Sequence, residues 1–151
     1  MRAQRSYAPV AEVERERSRG DDLIVYVDHS DIHEGALDEL RAGIRRIVDF
    51  IESREPQLIA YGFYVDELAR SMTVVAVHPD SASLVLHMEV GGPEFRKLGH
   101  LITLRSVEVY GRLSDNALAL VRQKAAMLGD AGGVVVQERY AGFARPMRPA
   151  G

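Results

Sequence analysis

An apolar stripe in the first third of the chain constrains its fold more than anything else in the sequence. Leu37, Leu40, Ile44, Ile47, Val48 and Ile51 fall at i, i+3, i+7, i+10, i+11 and i+14, which is one side of a helix of about four turns. Arg41, Arg45, Asp49 and Glu52 take the other side. A helix with one apolar face needs an apolar layer to bury it against. Asp31 lies three residues before Glu34, the spacing of a capping box, so Asp31 is the expected N-cap. Pro56 stops the helix, because the residue before a proline avoids helical backbone angles.

The segments around this helix supply the layer. Leu23–Asp28 (LIVYVD), Leu58–Val65 (LIAYGFYV) and Met72–Val77 read as strands, the last two joined as a hairpin through residues 66–71. Pro79 cannot continue a ladder, and Asp80 or Ser81 can cap a second helix. That helix puts Leu84, His87 and Met88 on one face. It breaks at Gly91-Gly92-Pro93 and resumes with Phe95, Leu98 and Ile102. Thr103–Tyr110 is a fourth strand, in which Leu104, Ser106, Glu108 and Tyr110 alternate with Arg105, Val107 and Val109. The order β-α-β-β-α-β is that of an α+β, ferredoxin-like sandwich.

An extension over 111–145 adds a third helix, from Ser114 as N-cap to about Leu128 with Gly129 as C-cap, and a fifth strand over Val134–Tyr140. Such a short strand has to join a sheet edge, its own or that of a second copy. Glycines within 129–133 allow the chain to reverse, and exchange with a second copy is the favoured expectation. Residues 1–20, with Arg2, Arg5, Arg15, Arg17 and Arg19 against Glu12, Glu14 and Glu16, read as a disordered arm. The other reading is a short charged helix or an arm that docks on a partner. Residues 21–151 read as one domain.

Composition bounds the function. A net charge of −3 and the lack of a clustered basic face give no footprint for nucleic acid. The absence of cysteine excludes thiolate nucleophiles and Cys-type zinc sites. No apolar run is long enough for a bilayer and the N-terminus lacks a signal-type core, so a cytoplasmic protein without membrane contact is expected. A four-stranded sheet with helices on one side leaves its other apolar face open. Pairing with a second copy would cover it, and a homodimer is expected.

The element order, the Arg54-Glu55-Pro56 stop before LIAYGFYV, and the corner HPDSASLVLHMEVGGPEF together resemble the dimeric α+β barrel superfamily, in particular the antibiotic-biosynthesis-monooxygenase-like proteins. The resemblance spans roughly Asp22–Tyr110. It implies a dimeric α+β barrel with a small pocket between sheet and helices. It also implies cofactor-independent monooxygenase-like chemistry on a small aromatic or quinol compound, with no cofactor. The chain departs from that pattern where family enzymes carry Glu-x-Trp: here the third strand ends Ala76-Val77-His78, and there is no tryptophan. Haem-degrading relatives use an Asn, a Trp and a His where this chain has Asp28, His78 and approximately His100, which disfavours haem chemistry. The alternative is a non-catalytic ligand-binding or structural dimer that has lost the family's catalytic residues.

His78, at the strand-to-helix corner, is the candidate base, and Asp28 its candidate orienter if both face one pocket. The plainer reading of His78 is a ring bonded to the turn that follows it. Tyr26, Tyr64, His87, His100 and Tyr110 are candidate ligand-binding residues. Their plainer roles are buried rings with bonded hydroxyls, a satisfied core histidine for His87 and a half-exposed one for His100. His29 and His33 have the four-residue spacing of a helical metal pair, but the expected cap at Asp31 falls between them, so no metal site is expected. A pocket of about 300 Å³ or more in which two polar groups converge would mark a ligand site. A cavity filled by Met88, Phe95 and tyrosines would mark a structural dimer.

Overall fold

The computed structural model describes residues 22–129 and 133–145. The expectations for the N-terminal arm, for the residues between Gly129 and Gly133 and for the end of the tail lie outside the described residues. The strands are β1 (Ile24–Ile32), β2 (Ala60–Asp66), β3 (Ser71–His78), β4 (Ile102–Tyr110) and β5 (Val134–Gln137). The helices are α1 (Leu37–Arg54), α2 (Ser81–Val90), α3 (Gly92–Arg96) and α4 (Asp115–Leu128), with one 3₁₀ turn at Gly99–Leu101. The sheet order is β2-β3-β1-β4-β5, antiparallel throughout except that β5 runs parallel to β4. The first four strands form the ferredoxin-like α+β sandwich expected from the sequence.

Period-two alternation on the central strand sets the two faces. Ile24, Tyr26, Asp28, Ser30 and Ile32 are buried on the helix side of β1. Two apolar clusters fill that side. One joins Leu40, Ile47 and Ile51 of α1 to Met72, Val74 and Phe95. The other joins Ile24 and Tyr26 to Leu84, Val107, Val109 and the α4 residues Ala117, Val121 and Ala125. Each buried Leu or Ile contributes on the order of 1.5–3 kcal/mol, so the helices are held chiefly by these contacts. The opposite face carries Val25, Val27, Val75 and Val77, all half-buried, and no helix among the described residues covers it.

Four expectations need correction. Asp31 does not cap α1. β1 continues to Ile32 because Asp31 and Ile32 still have ladder partners in Ser71, Thr103 and Ile102. The Asp31 carboxylate instead accepts from Arg105 Nε at 2.5 Å, and α1 starts after Ala36 without a side-chain cap. Strict alternation fails on β4, where the register shifts between His29 and Ser30. The inserted residue returns Leu104 to the same buried side as Val107 and Val109 and leaves Arg105 exposed. The segment after Gly91 is not one resumed helix but α3, a 3₁₀ turn, and then β4 with Ile102 already in it. Finally, β5 ends at Gln137 rather than Tyr140 and lies on the β4 of its own chain, with Val107 opposite Val134 and Tyr110 opposite Gln137.

Caps at the other helices form as read: Asp80 accepts from the Ser83 amide at 2.8 Å, and Ser114 accepts from the Ala117 amide at 3.2 Å. Gly129 ends α4 and bridges to Leu104 so closely that an added methyl would collide with the Leu104 carbonyl. Gly129→Ala should therefore pull the end of α4 from β4, at about 1–3 kcal/mol and a melting point lower by roughly 3–10 °C. Gly92→Ala meets nothing within 4 Å and should leave the melting point nearly unchanged. Thermal melts of the two variants check this pair.

Candidate functional site

A cavity of about 230 Å³ lies between the sheet and the helices at the seam of the two apolar clusters. Tyr26, Tyr61 and Val74 come to it from the sheet, His87 and Phe95 from the two sides of the Gly91 break, and Lys124 from α4. The volume falls short of the roughly 300 Å³ expected of a ligand site, and leaves room only for a ligand of one or two small rings. Met88, Phe95 and the tyrosines line the cavity without filling it, and two polar assemblies converge there.

The first is anchored on β1. The buried Tyr26 hydroxyl donates to Asp28 Oδ2 at 2.8 Å. Lys124 Nζ donates to the Tyr26 hydroxyl at 2.8 Å and to Asp28 Oδ2 at 3.0 Å. The ammonium lies 4.1 Å from the Phe95 ring centroid and 4.8 Å from that of Tyr26, which adds cation–π attraction. Asp28 is wholly buried and its Oδ1 has no partner among the described residues. Burial, and then the Asp28 charge, pushes the Tyr26 phenol well above its ordinary range, so it stays protonated.

The second assembly joins the end of α1 to α2. Nδ1–H of His87 donates to both oxygens of the buried Glu55 carboxylate, at 2.9 and 3.0 Å. With its proton fixed on Nδ1, a neutral His87 presents the lone pair of Nε2, which has no partner among the described residues. This is a base-and-orienter pair of the kind used in general acid–base catalysis. Tyr61 packs edge-on to His87 with ring centroids 5.2 Å apart. Its phenol is raised by burial first and then by Asp28 and Glu55, so Tyr61 feels both carboxylates of the site.

His78 and Asp28 are not brought together. Across the β1–β3 ladder His78 faces Ile24 while Asp28 faces Val74, four residues further on. That is about 13 Å along a strand. His78 Nδ1 is instead 2.8 Å from Ser83 Oγ in the corner that follows, and His78 is absent from the cavity wall. Tyr26 and His87 line the cavity, whereas Asp28 does not and is joined to its wall through Tyr26 and Lys124. Tyr64 is exposed on the open face of β2, and Tyr110, on the same face of β4, donates to Glu108 Oε2 at 2.7 Å. His100 is exposed on the 3₁₀ turn, 3.1 Å from Glu39 Oε1. His33 bonds Thr103 at 2.8 Å and the His100 carbonyl at 3.0 Å. Among the described residues no three His, Asp or Glu gather as a metal site.

Reading from sequence missed Glu55 and Lys124. Each had a signal: Glu55 precedes the helix-stopping Pro56, and Lys124, one of only two lysines, sits beside the small-residue stripe Ala117–Val121–Ala125.

Among solved structures the chain is similar to MupZ from Pseudomonas fluorescens, at 21% identity and a TM-score of 0.64 over 85% of this chain and 98% of that one. A conserved protein from Methanosarcina mazei Go1 matches at 16% identity and a TM-score of 0.54, over 63% and 97%. SnoaB, a cofactor-independent oxygenase from Streptomyces nogalater, matches at 18% identity and a TM-score of 0.51, over 62% and 95%. No protein-family model matches the sequence, and no curated protein matches it. The chain shares the α+β fold of MupZ and of SnoaB, in keeping with the fold class expected from its sequence.

The burial of His78 has a consequence for acid stability. Desolvation, and secondarily the charge of His87, pulls its imidazole down to about 3. In the unfolded chain a histidine titrates near 6.5, so between these values the unfolded state binds a proton that the folded state refuses. Stability should fall as pH drops from about 6.5 toward 3, by up to ~1.4 kcal/mol per pH unit for this one group. Denaturant titrations at pH 7 and 4.5 should show a shallower pH dependence for His78→Gln than for the wild type. An equal dependence means His78 is not held neutral.

Proposed function

From this fold and cavity we propose a cofactor-independent, monooxygenase-like enzyme acting on a small phenolic or quinol compound, with His87 as base and Glu55 as its orienter. The observation that carries this reading is the Glu55–His87 pair on the wall of a small, mostly apolar cavity that also receives an ammonium group. Removing the phenolic proton makes the ring electron-rich enough to give up an electron to dioxygen. Recombination at carbon and loss of water complete the change, so that a phenol and O₂ yield a quinone and H₂O. The chain's part is to exclude bulk water, orient the ring and take the proton at Nε2. SnoaB's description as a cofactor-independent oxygenase supports the choice of chemistry by shared fold.

Oxygen uptake over a panel of phenols and hydroquinones tests it. His87→Ala should lower kcat/KM by about 10²- to 10⁴-fold, the usual contribution of a positioned general base, and Glu55→Gln by a smaller factor. Uptake unchanged by His87→Ala would remove this base from the mechanism. Ligands that bind without any turnover would favour the second reading, a non-catalytic binding dimer, which the absence of the family's Glu-x-Trp supports.

The functional unit we propose is a homodimer built through the open sheet face. Val25, Val27, Val75 and Val77 form an apolar centre there without a covering helix, and burying such a face is the usual route to a stable pair. No helix among the described residues is long and apolar enough to cross a membrane. Light scattering should give twice the chain mass, and Val27→Lys should shift it toward one. A wild-type monomer at micromolar concentration would sink the dimer.

A further inference from the structure

We infer that Lys124 is a catalytic residue: its ammonium holds the substrate's phenolic oxygen as that oxygen becomes anionic, so the C-terminal helix α4 completes the active site. This rests on the reading of the cavity as a phenol-deprotonating site.

An ammonium has three N–H donors. In Lys124 one goes to the Tyr26 hydroxyl and one to Asp28 Oδ2. The third has no acceptor among the described residues, and Lys124 lines the cavity. The group is not free to swing away. Two hydrogen bonds, the Phe95 face at 4.1 Å and the Tyr26 face at 4.8 Å fix its place, and its side chain is only 14% exposed. A donor held in advance, in surroundings poor in water, is what stabilises developing negative charge most.

Stability alone does not account for this ion pair. Buried pairs of this kind are commonly replaced by apolar residues without loss, whereas removing one partner is strongly destabilising. Tyr26 keeps its proton and so does not compete as base; it bridges Asp28 and Lys124. The division of labour follows: the phenolic O–H proton passes to His87 Nε2, and the oxygen left behind keeps its charge against Lys124 Nζ–H. The other charged residues on the cavity wall, Glu89 and Arg96, are both exposed. The substrate class narrows to compounds whose ionising hydroxyl and ring fit one small cavity together.

4-Nitrophenol is a direct probe, because its anion is read by absorbance. Bound to the wild type it should ionise at lower pH than in solution. In Lys124→Met the bound probe's ionisation constant should fall by about tenfold or more, one pH unit or more upward in the midpoint. Lys124→Arg should retain most of the wild-type shift. Since Lys124→Met leaves Asp28 buried and unpaired, the double variant Asp28→Asn/Lys124→Met is measured beside it and should behave like the single one. A bound midpoint equal in the wild type and the Lys124→Met variants, or unshifted from solution in the wild type, overturns this role while leaving the cavity and the Glu55–His87 pair standing. A probe that does not bind the wild type overturns both readings.

Discussion

The buried carboxylate of Asp28 is the group the rest of the interior has to accommodate. It lies midway along the helix side of the central strand, between Tyr26 and Ser30, with no exposure to solvent. Leaving a charge there unpaired costs several kcal/mol, so something must reach it from the layer above. Tyr26 does so from the same strand, because residues two apart share a face. Lys124 does so from α4, 96 residues later in sequence. Satisfying Asp28 therefore fixes where α4 lies, and α4 in turn brings β5 to the β4 edge.

That dependence gives the C-terminal unit a role beyond closing an edge. β4, α4 and β5 form a parallel strand–helix–strand crossover on an otherwise antiparallel sheet. Ala117, Val121 and Ala125 pack the helix flat against β1 and β4, and small side chains allow that close approach. Lys124 is one residue off this stripe, near enough to the buried face for its ammonium to cross the cavity wall.

The elements were legible in the sequence to the extent that one residue's neighbours decided them. The α1 stripe, the β2–β3 hairpin and the caps at Asp80 and Ser114 are local patterns, and each formed. Asp31 failed as a cap because the choice was made by partners far away in sequence: Ser71 and Thr103 keep it in the ladder. The β4 faces were misread for a similar reason. A single inserted residue near Arg105 changes the parity of everything beyond it, and nothing in Leu104–Tyr110 itself announces the bulge. In the site, Tyr26 and Asp28 could be placed on one face by period alone. Pairing Asp28 with His78 could not be checked that way, since it depends on register, and the register sets them four residues apart. Glu55 was hidden by its own backbone role, for a helix stop before proline explains the residue fully until its side chain is seen on His87.

The break at Gly91 links these two halves of the site. A methyl group there would meet Ile51 Cδ1 at 2.7 Å and the His87 carbonyl at 2.9 Å, and would lie 3.4 Å from Glu55 Oε2. Only a residue without a side chain lets the C-terminal end of α1 come this close to that of α2, and this approach is what seats the Glu55 carboxylate on His87 Nδ1. The backbone keeps helical angles at Gly91, and α3 beyond it delivers Phe95 beneath the Lys124 ammonium. One glycine thus permits the contact that orients the base.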